Sequence, residues 1–133
     1  MLVYLYKSQW PILLIIFIND ITHVIRYSEF LLFADDLKLF KSINNLNDAH
    51  ELHLDLSNFI KWCHVNLLIL DIDKCFKITF HRTANPIRFD YQINNSVVAE
   101  TNEVKDLGLI LDSKLNFETH ITNIVSKMFK FKN

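Results

Sequence analysis

From Lys74 to His81 the chain alternates strictly, with Phe76, Ile78 and Phe80 on one side of a predicted strand and Lys77, Thr79 and His81 on the other. Elsewhere the period changes. Pro11 to Ile18 is wholly apolar, and Ile18, Ile21 and Ile25 follow at helical spacing, so residues 11–27 predict a largely buried helix. Phe30-Leu31-Leu32 and Leu37-Lys38-Leu39-Phe40 bracket Phe33-Ala34-Asp35-Asp36, which predicts a hairpin over 29–41 with two acids at its point. Asp48-Ala49-His50-Glu51 has capping-box form and opens a predicted helix with Leu52, Leu56, Phe59, Ile60 and Cys63 on one face. Asn66 to Asp73 is an apolar run closed by acids. Phe89 to Ile93 and Ser96 to Val98 flank Asn94-Asn95, a predicted hairpin because asparagine tolerates the left-handed turn. Val104 to Leu111 predicts a further strand, with Gly108 a bulge or a point of close approach. Asn116 caps a predicted last helix with Ile121, Ile124, Val125 and Met128 on its inner face and Lys127, Lys130 and Lys132 towards its end. Interleaved strands and helices, without repeats or low-complexity linkers, predict an α+β fold, an antiparallel sheet backed by helices.

Composition narrows the function. The 133 residues suffice for one domain that buries roughly two thirds of its unfolded surface. Half are hydrophobic and 13% aromatic, which excludes a disordered composition. The net charge of −1 supplies no global field for nucleic acid, so such binding must use local patches. Cys63 and Cys75 are too few for a disulfide framework and suit a reduced, intracellular setting, nucleus or cytoplasm. Gly108 is the only glycine, which excludes glycine-loop nucleotide binding. The Pro11–Ile18 run falls well short of the roughly 20 residues that span a bilayer, and no basic start or small-residue cleavage site accompanies it. A buried helix, with no membrane role, is the expectation.

Adjacent carboxylates repel unless water or a cation neutralises them, so Asp35-Asp36 is either a solvated turn or a divalent-cation site. Cys63, His64, Cys75 and His81 lack zinc-site spacing, and Cys63 falls on the apolar helix face. His50 and His53, three apart, read as solvated surface. The terminal lysines either touch phosphate or compensate a helix dipole. Trp62, Tyr91 and Phe117 have the chemistry to stack on bases, but nothing singles them out.

In order, these pieces resemble the reverse transcriptases of LINE-type (non-LTR) retrotransposons. Pro11 to Ile21 looks like the tail of the family's motif B helix, and Phe33-Ala34-Asp35-Asp36 like its catalytic motif C. Trp62-Cys63, Asn66, Leu68, Leu70 and Lys74-Cys75 fall at the spacing that leads into motif D. Val104 to Asp112 is similar to the primer-grip hairpin, and Leu115 to Ile121 to the entry of the thumb. The resemblance implies a partial polymerase palm over 11–112 and the start of a helical thumb over 113–133, behind an atypical start at 1–10. It implies RNA-directed DNA synthesis in the parent enzyme, from an RNA template, a DNA primer and deoxynucleoside triphosphates, with Mg2+ as cofactor. Asp35 would be the principal metal ligand and Asp36 a weaker or outer one. Lys74 would sit near the leaving pyrophosphate, unless it is a solvated lysine opening a strand. Lys105, Leu107 and Gly108 would touch nucleic acid, the glycine allowing close approach to the primer.

The departures from the family pattern carry equal weight. Its first catalytic aspartate lies on an earlier strand, motif A, and no stretch here corresponds to it or to the fingers. The glycine-rich opening of motif B is replaced by Tyr4 to Trp10, and Asp71 stands where the family has asparagine. The expectation is a chain that does not polymerise alone; the rivals are a non-catalytic nucleic-acid- or protein-binding remnant and a decayed copy without function. A palm without the motif A strand would leave sheet edges exposed and prone to self-association, unless an N-terminal helix covers the gap.

Overall fold

The computed structural model describes residues 2–6, 20–33, 36–106, 109–115 and 118–131. The strands are β1 (Leu2–Tyr6), β2 (Glu29–Phe33), β3 (Asp36–Phe40), β4 (Phe76–Ile78), β5 (Gln92–Ile93), β6 (Ser96–Val97), β7 (Ala99–Glu100), β8 (Glu103–Asp106) and β9 (Leu109–Asp112). The helices are α1 (residues 20–24), α2 (Leu46–Val65) and α3 (Glu118–Phe131), with a 3-10 turn at Ile72–Lys74. The fold is α+β.

Five strands form one sheet in the order β2-β3-β1-β4-β7. β1 is central and antiparallel to both neighbours, with Leu2 opposite Phe40 and Ile78, and Tyr6 opposite Asp36. β1 pairs with β3 and with β4 and so supplies a central strand where the sequence predicted a missing partner, while β2 and β7 are the outer strands of the sheet.

One face of the sheet carries α2. Leu52, Leu56 and Phe59 are almost wholly buried and pack with Ile21, Ile25, Leu37, Leu39, Tyr91 and Ile93. Each such side chain contributes about 1.5–3 kcal/mol of burial. The helical face predicted from Leu52 to Cys63 is the buried one. Its start is three residues earlier than the Asp48 box suggests: the N-cap is Asn45, whose Oδ1 accepts from the Asp48 backbone N–H at 2.9 Å. Asp48 Oδ2 in turn accepts from Asn44 N–H at 2.8 Å. At the other end Leu67 takes a left-handed φ of 56°, Leu67 N–H donates to His64 O and Leu68 N–H to Cys63 O. This Schellman closure normally uses glycine.

The β8–β9 hairpin covers the opposite face, where Val104 and Leu111 pack with Phe76, Ile78 and Phe80. The strand predicted over 104–111 therefore folds back on itself, with Val104 opposite Leu111. Leu107 and Gly108 lie outside the described residues, so the predicted bulge is not described. The Asn94-Asn95 turn is as expected, with φ of 49° and 65° between β5 and β6. Of the helix predicted over 11–27, residues 11–19 lie outside the described residues; 20–24 are helical, and the chain leaves the helix at Ile25. Asp55 explains the exit. Its buried carboxylate accepts from the backbone N–H groups of Arg26, Tyr27 and Ser28 at 2.9, 2.9 and 2.7 Å, which a continuing helix would have used internally. α3 forms as predicted, but Ile121, Ile124, Val125 and Met128 are exposed rather than inward-facing. Periodicity finds an apolar stripe without saying whether anything covers it.

Candidate active site

The acid pair falls on the β2–β3 hairpin. Phe33 pairs with Asp36, so Ala34 and Asp35 connect the strands, and these two lie outside the described residues. Asp36 is the first residue of β3, flanked in register by Phe33 on β2 and Tyr6 on β1. The hairpin is rooted on both sides. Leu37 and Leu39 enter the core, while Lys38 turns to the opposite face. There Lys38 Nζ lies 2.7 Å from both Oδ1 and Oδ2 of Asp106, a charge-assisted pair between β3 and β8 with Lys38 almost fully buried. The hairpin bearing Asp36 is thus joined to the hairpin bearing Lys105.

The other predicted site residues stand apart from this contact. Lys74 ends the 3-10 turn and does not open a strand; its ammonium is exposed, 3.6 Å from Asp71. Lys105 is exposed on β8, opposite Ile110. Leu107 and Gly108 are outside the described residues. Among the described residues no group of three or more His, Cys, Asp or Glu is placed to hold a metal ion. β1, the strand paired with β3 and β4, reads Leu-Val-Tyr-Leu-Tyr and offers no carboxylate. A two-metal site draws carboxylates from more than one strand to hold ions some 3.5–4 Å apart. The acid pair with this neighbour does not fit such a pair of magnesium ions.

Two expectations for aromatic and imidazole groups change. His50 is exposed, as expected of a surface position, whereas His53 is half-buried; both rings lie against Phe89, at centroid distances of 5.0 Å for His50 and 5.5 Å for His53. Burial, and to a lesser extent the neighbouring His50, holds His53 below the usual histidine range. Tyr91 is a core residue, its phenol pushed up to about 12 by burial. Trp62 stacks on Phe59 at 5.9 Å, and Phe117 lies outside the described residues. Cys63 and Cys75 are both buried.

Sequence reasoning missed Lys38, Asp55, Lys77 and Asp106. A lone lysine inside the run Leu37 to Phe40 was the available signal for Lys38, since a charge there needs a partner. Lys77 is 4% exposed and donates to the Phe89 carbonyl at 2.7 Å, under the ring of Tyr91.

Comparison with known proteins gives this arrangement its lineage. Over 97 residues, 69% of the chain, it is 37% identical to the RNA-directed DNA polymerase from mobile element jockey of Drosophila funebris. Over 94 residues, 67% of the chain, it is 28% identical to the probable RNA-directed DNA polymerase from transposon BS of Drosophila melanogaster. The aligned part is 10% of each relative, so the chain spans about a tenth of their length. No family model and no solved structure matches the chain. An α+β chain with an acid-bearing hairpin and these relatives is of the polymerase class. Within that class it belongs to the reverse transcriptases of LINE-type retrotransposons, as a retrotransposon-derived stretch of such an enzyme. No helix among the described residues is long and apolar enough to cross a membrane.

Proposed function

We propose that residues 11–112 are the later part of a reverse transcriptase palm, that 113–133 begin its thumb, and that the chain by itself does not polymerise. The observation that carries this reading is the donor set: the acids cluster on one hairpin, and the adjacent central strand reads Leu-Val-Tyr-Leu-Tyr. In the parent enzyme Asp35 and Asp36 would belong to the metal clamp, Lys74 would face the leaving pyrophosphate, and Lys105, Leu107 and Gly108 would contact the primer. RNA template, DNA primer and deoxynucleoside triphosphates are that enzyme's partners. In this chain the two hairpins are joined through Lys38 and Asp106, and β1, the strand beside the acid hairpin, carries no carboxylate.

A primer-extension assay with a primed RNA template and magnesium tests the proposal. No incorporation is expected. Robust incorporation that Asp35→Asn abolishes contradicts it.

The joined hairpins also support a second reading, a non-catalytic module that binds nucleic acid. Its signature is salt-sensitive binding to an RNA–DNA hybrid. Absence of binding at low salt removes it.

A further inference from the structure

With a net charge of −1, nucleic acid can be held only where the charge is locally uneven. Two stretches are basic and free of acids: the lysines at the end of α3, which also compensate the helix dipole, and a stretch that lines cavities. Between Asp73 and Asp90 there is no acid, while Lys74, Lys77, Arg82 and Arg88 fall in the same stretch. Two of these cations are already engaged: Lys74 lies near Asp71, and Lys77 is buried against the Phe89 carbonyl with Glu100 at 3.9 Å. Arg82 and Arg88 are exposed, and neither has a carboxylate within ion-pair distance among the described residues.

The segment that carries them is fixed at both ends. His81 N–H donates to Ser113 O at 2.8 Å, and the buried Lys77 ammonium holds Phe89 O. His81 Nδ1 lies 2.8 Å from Thr83 O; a carbonyl only accepts, so Nδ1 carries the hydrogen and Nε2 is the ring's other polar atom. Two cavities share Thr79, His81, Pro86 and Ile87 as walls. The larger, about 400 Å³, adds Arg82 with Ser42, Asn44, Thr83 and Asn85, and has no carboxylate in its lining. The smaller, about 290 Å³, adds Arg88, and its one acid, Glu100, is taken up by Thr79 Oγ1 at 3.2 Å and by Lys77. Guanidinium groups without carboxylate partners, beside hydroxyl and amide donors, match phosphodiester oxygens in charge and hydrogen-bond sense.

We propose that this double cleft binds the phosphate backbone of single-stranded nucleic acid, with Arg82 and Arg88 as its charge contacts. The inference deepens the nucleic-acid-binding reading above and assigns it a place away from the acid hairpin. The intact chain is titrated into a fluorescently labelled single-stranded RNA of about 20 nucleotides, at several salt concentrations between about 50 and 200 mM, the range over which phosphate contacts show their salt dependence. Arg82→Ala/Arg88→Ala is compared with the unsubstituted chain and with Lys61→Ala, an exposed cation on α2. Each lost single-strand contact removes roughly 0.7 from the log–log salt slope, so the double variant should lose about 1.4 and bind about tenfold more weakly at low salt, while Lys61→Ala binds as before. Both arginines are exposed, and unchanged circular dichroism verifies the fold. Binding and slope unaltered in the double variant overturn the site and leave the family assignment standing. No RNA binding by the unsubstituted chain overturns both the site and the binding reading, whereas the polymerase reading answers separately to primer extension.

Discussion

Lys38 Nζ sits 2.7 Å from both carboxylate oxygens of Asp106, across 68 residues of sequence, and so couples the acid-bearing hairpin to β8–β9. Lys38 is almost fully buried and Asp106 about one-fifth exposed, so removing either deprives the other of this ion pair where water reaches poorly. Lys38→Met or Asp106→Ala alone should cost about 2–3 kcal/mol in urea unfolding. The double substitution Lys38→Met/Asp106→Leu should cost less than the sum. Strict additivity would mean that the pair is not an energetic unit.

Asp55 carries the corner between α1 and β2. Three backbone N–H groups converge on it, and truncation leaves them without an acceptor. Asp55→Ala should destabilise by about 3 kcal/mol, with Asp55→Asn in between, read from the same unfolding curves.

Glycine scarcity has left side chains at left-handed positions. Leu67 is 89% exposed with φ of 56°, so its side chain gives little burial in return for the strain. Leu67→Gly should raise stability by roughly 0.5–1 kcal/mol, the αL relief outweighing glycine's backbone entropy. A lower melting temperature would show that the Leu67 side chain makes a contribution its exposure hides.

Burial of His53 and Tyr91 gives stability two pH limits. His53 in the folded chain has a lower pKa than its ordinary 6.5, so the unfolded chain protonates first. Its contribution is intact above pH 6.5 and fades as pH falls from there through the folded value. Tyr91 stays protonated in the folded chain up to about 12 against an ordinary 10, so its contribution is intact below pH 10 and is lost between 10 and 12. Tyr91→Phe should abolish its part of the alkaline loss. It should cost little at neutral pH, because Tyr91 Oη is buried without a hydrogen-bond partner among the described residues. Thermal melts across pH check both limits.

What could be read from the sequence was local. Alternation at Phe76, Ile78 and Phe80 predicted the face that meets Val104, and Asn94-Asn95 predicted its turn because few residues accept positive φ. The α2 stripe is legible for the same reason, a period set by backbone geometry. What stayed hidden depends on distant partners. Asp55 serves N–H groups 27–29 residues earlier, and nothing near Asp106 announces Lys38. The central place of β1 is a pairing choice, invisible in Leu-Val-Tyr-Leu-Tyr itself. The acid pair could be recognised in the sequence by its order among other family stretches, but its usefulness depends on which strand lies beside it.

That dependence is most directly tested by counting divalent ions. Electron paramagnetic resonance titration of the chain with Mn2+, as a stand-in for Mg2+, should show at most one weak ion per chain, lost in Asp35→Asn/Asp36→Asn. Two tightly held, magnetically coupled ions at the hairpin would contradict the incomplete carboxylate set on which the proposed function rests.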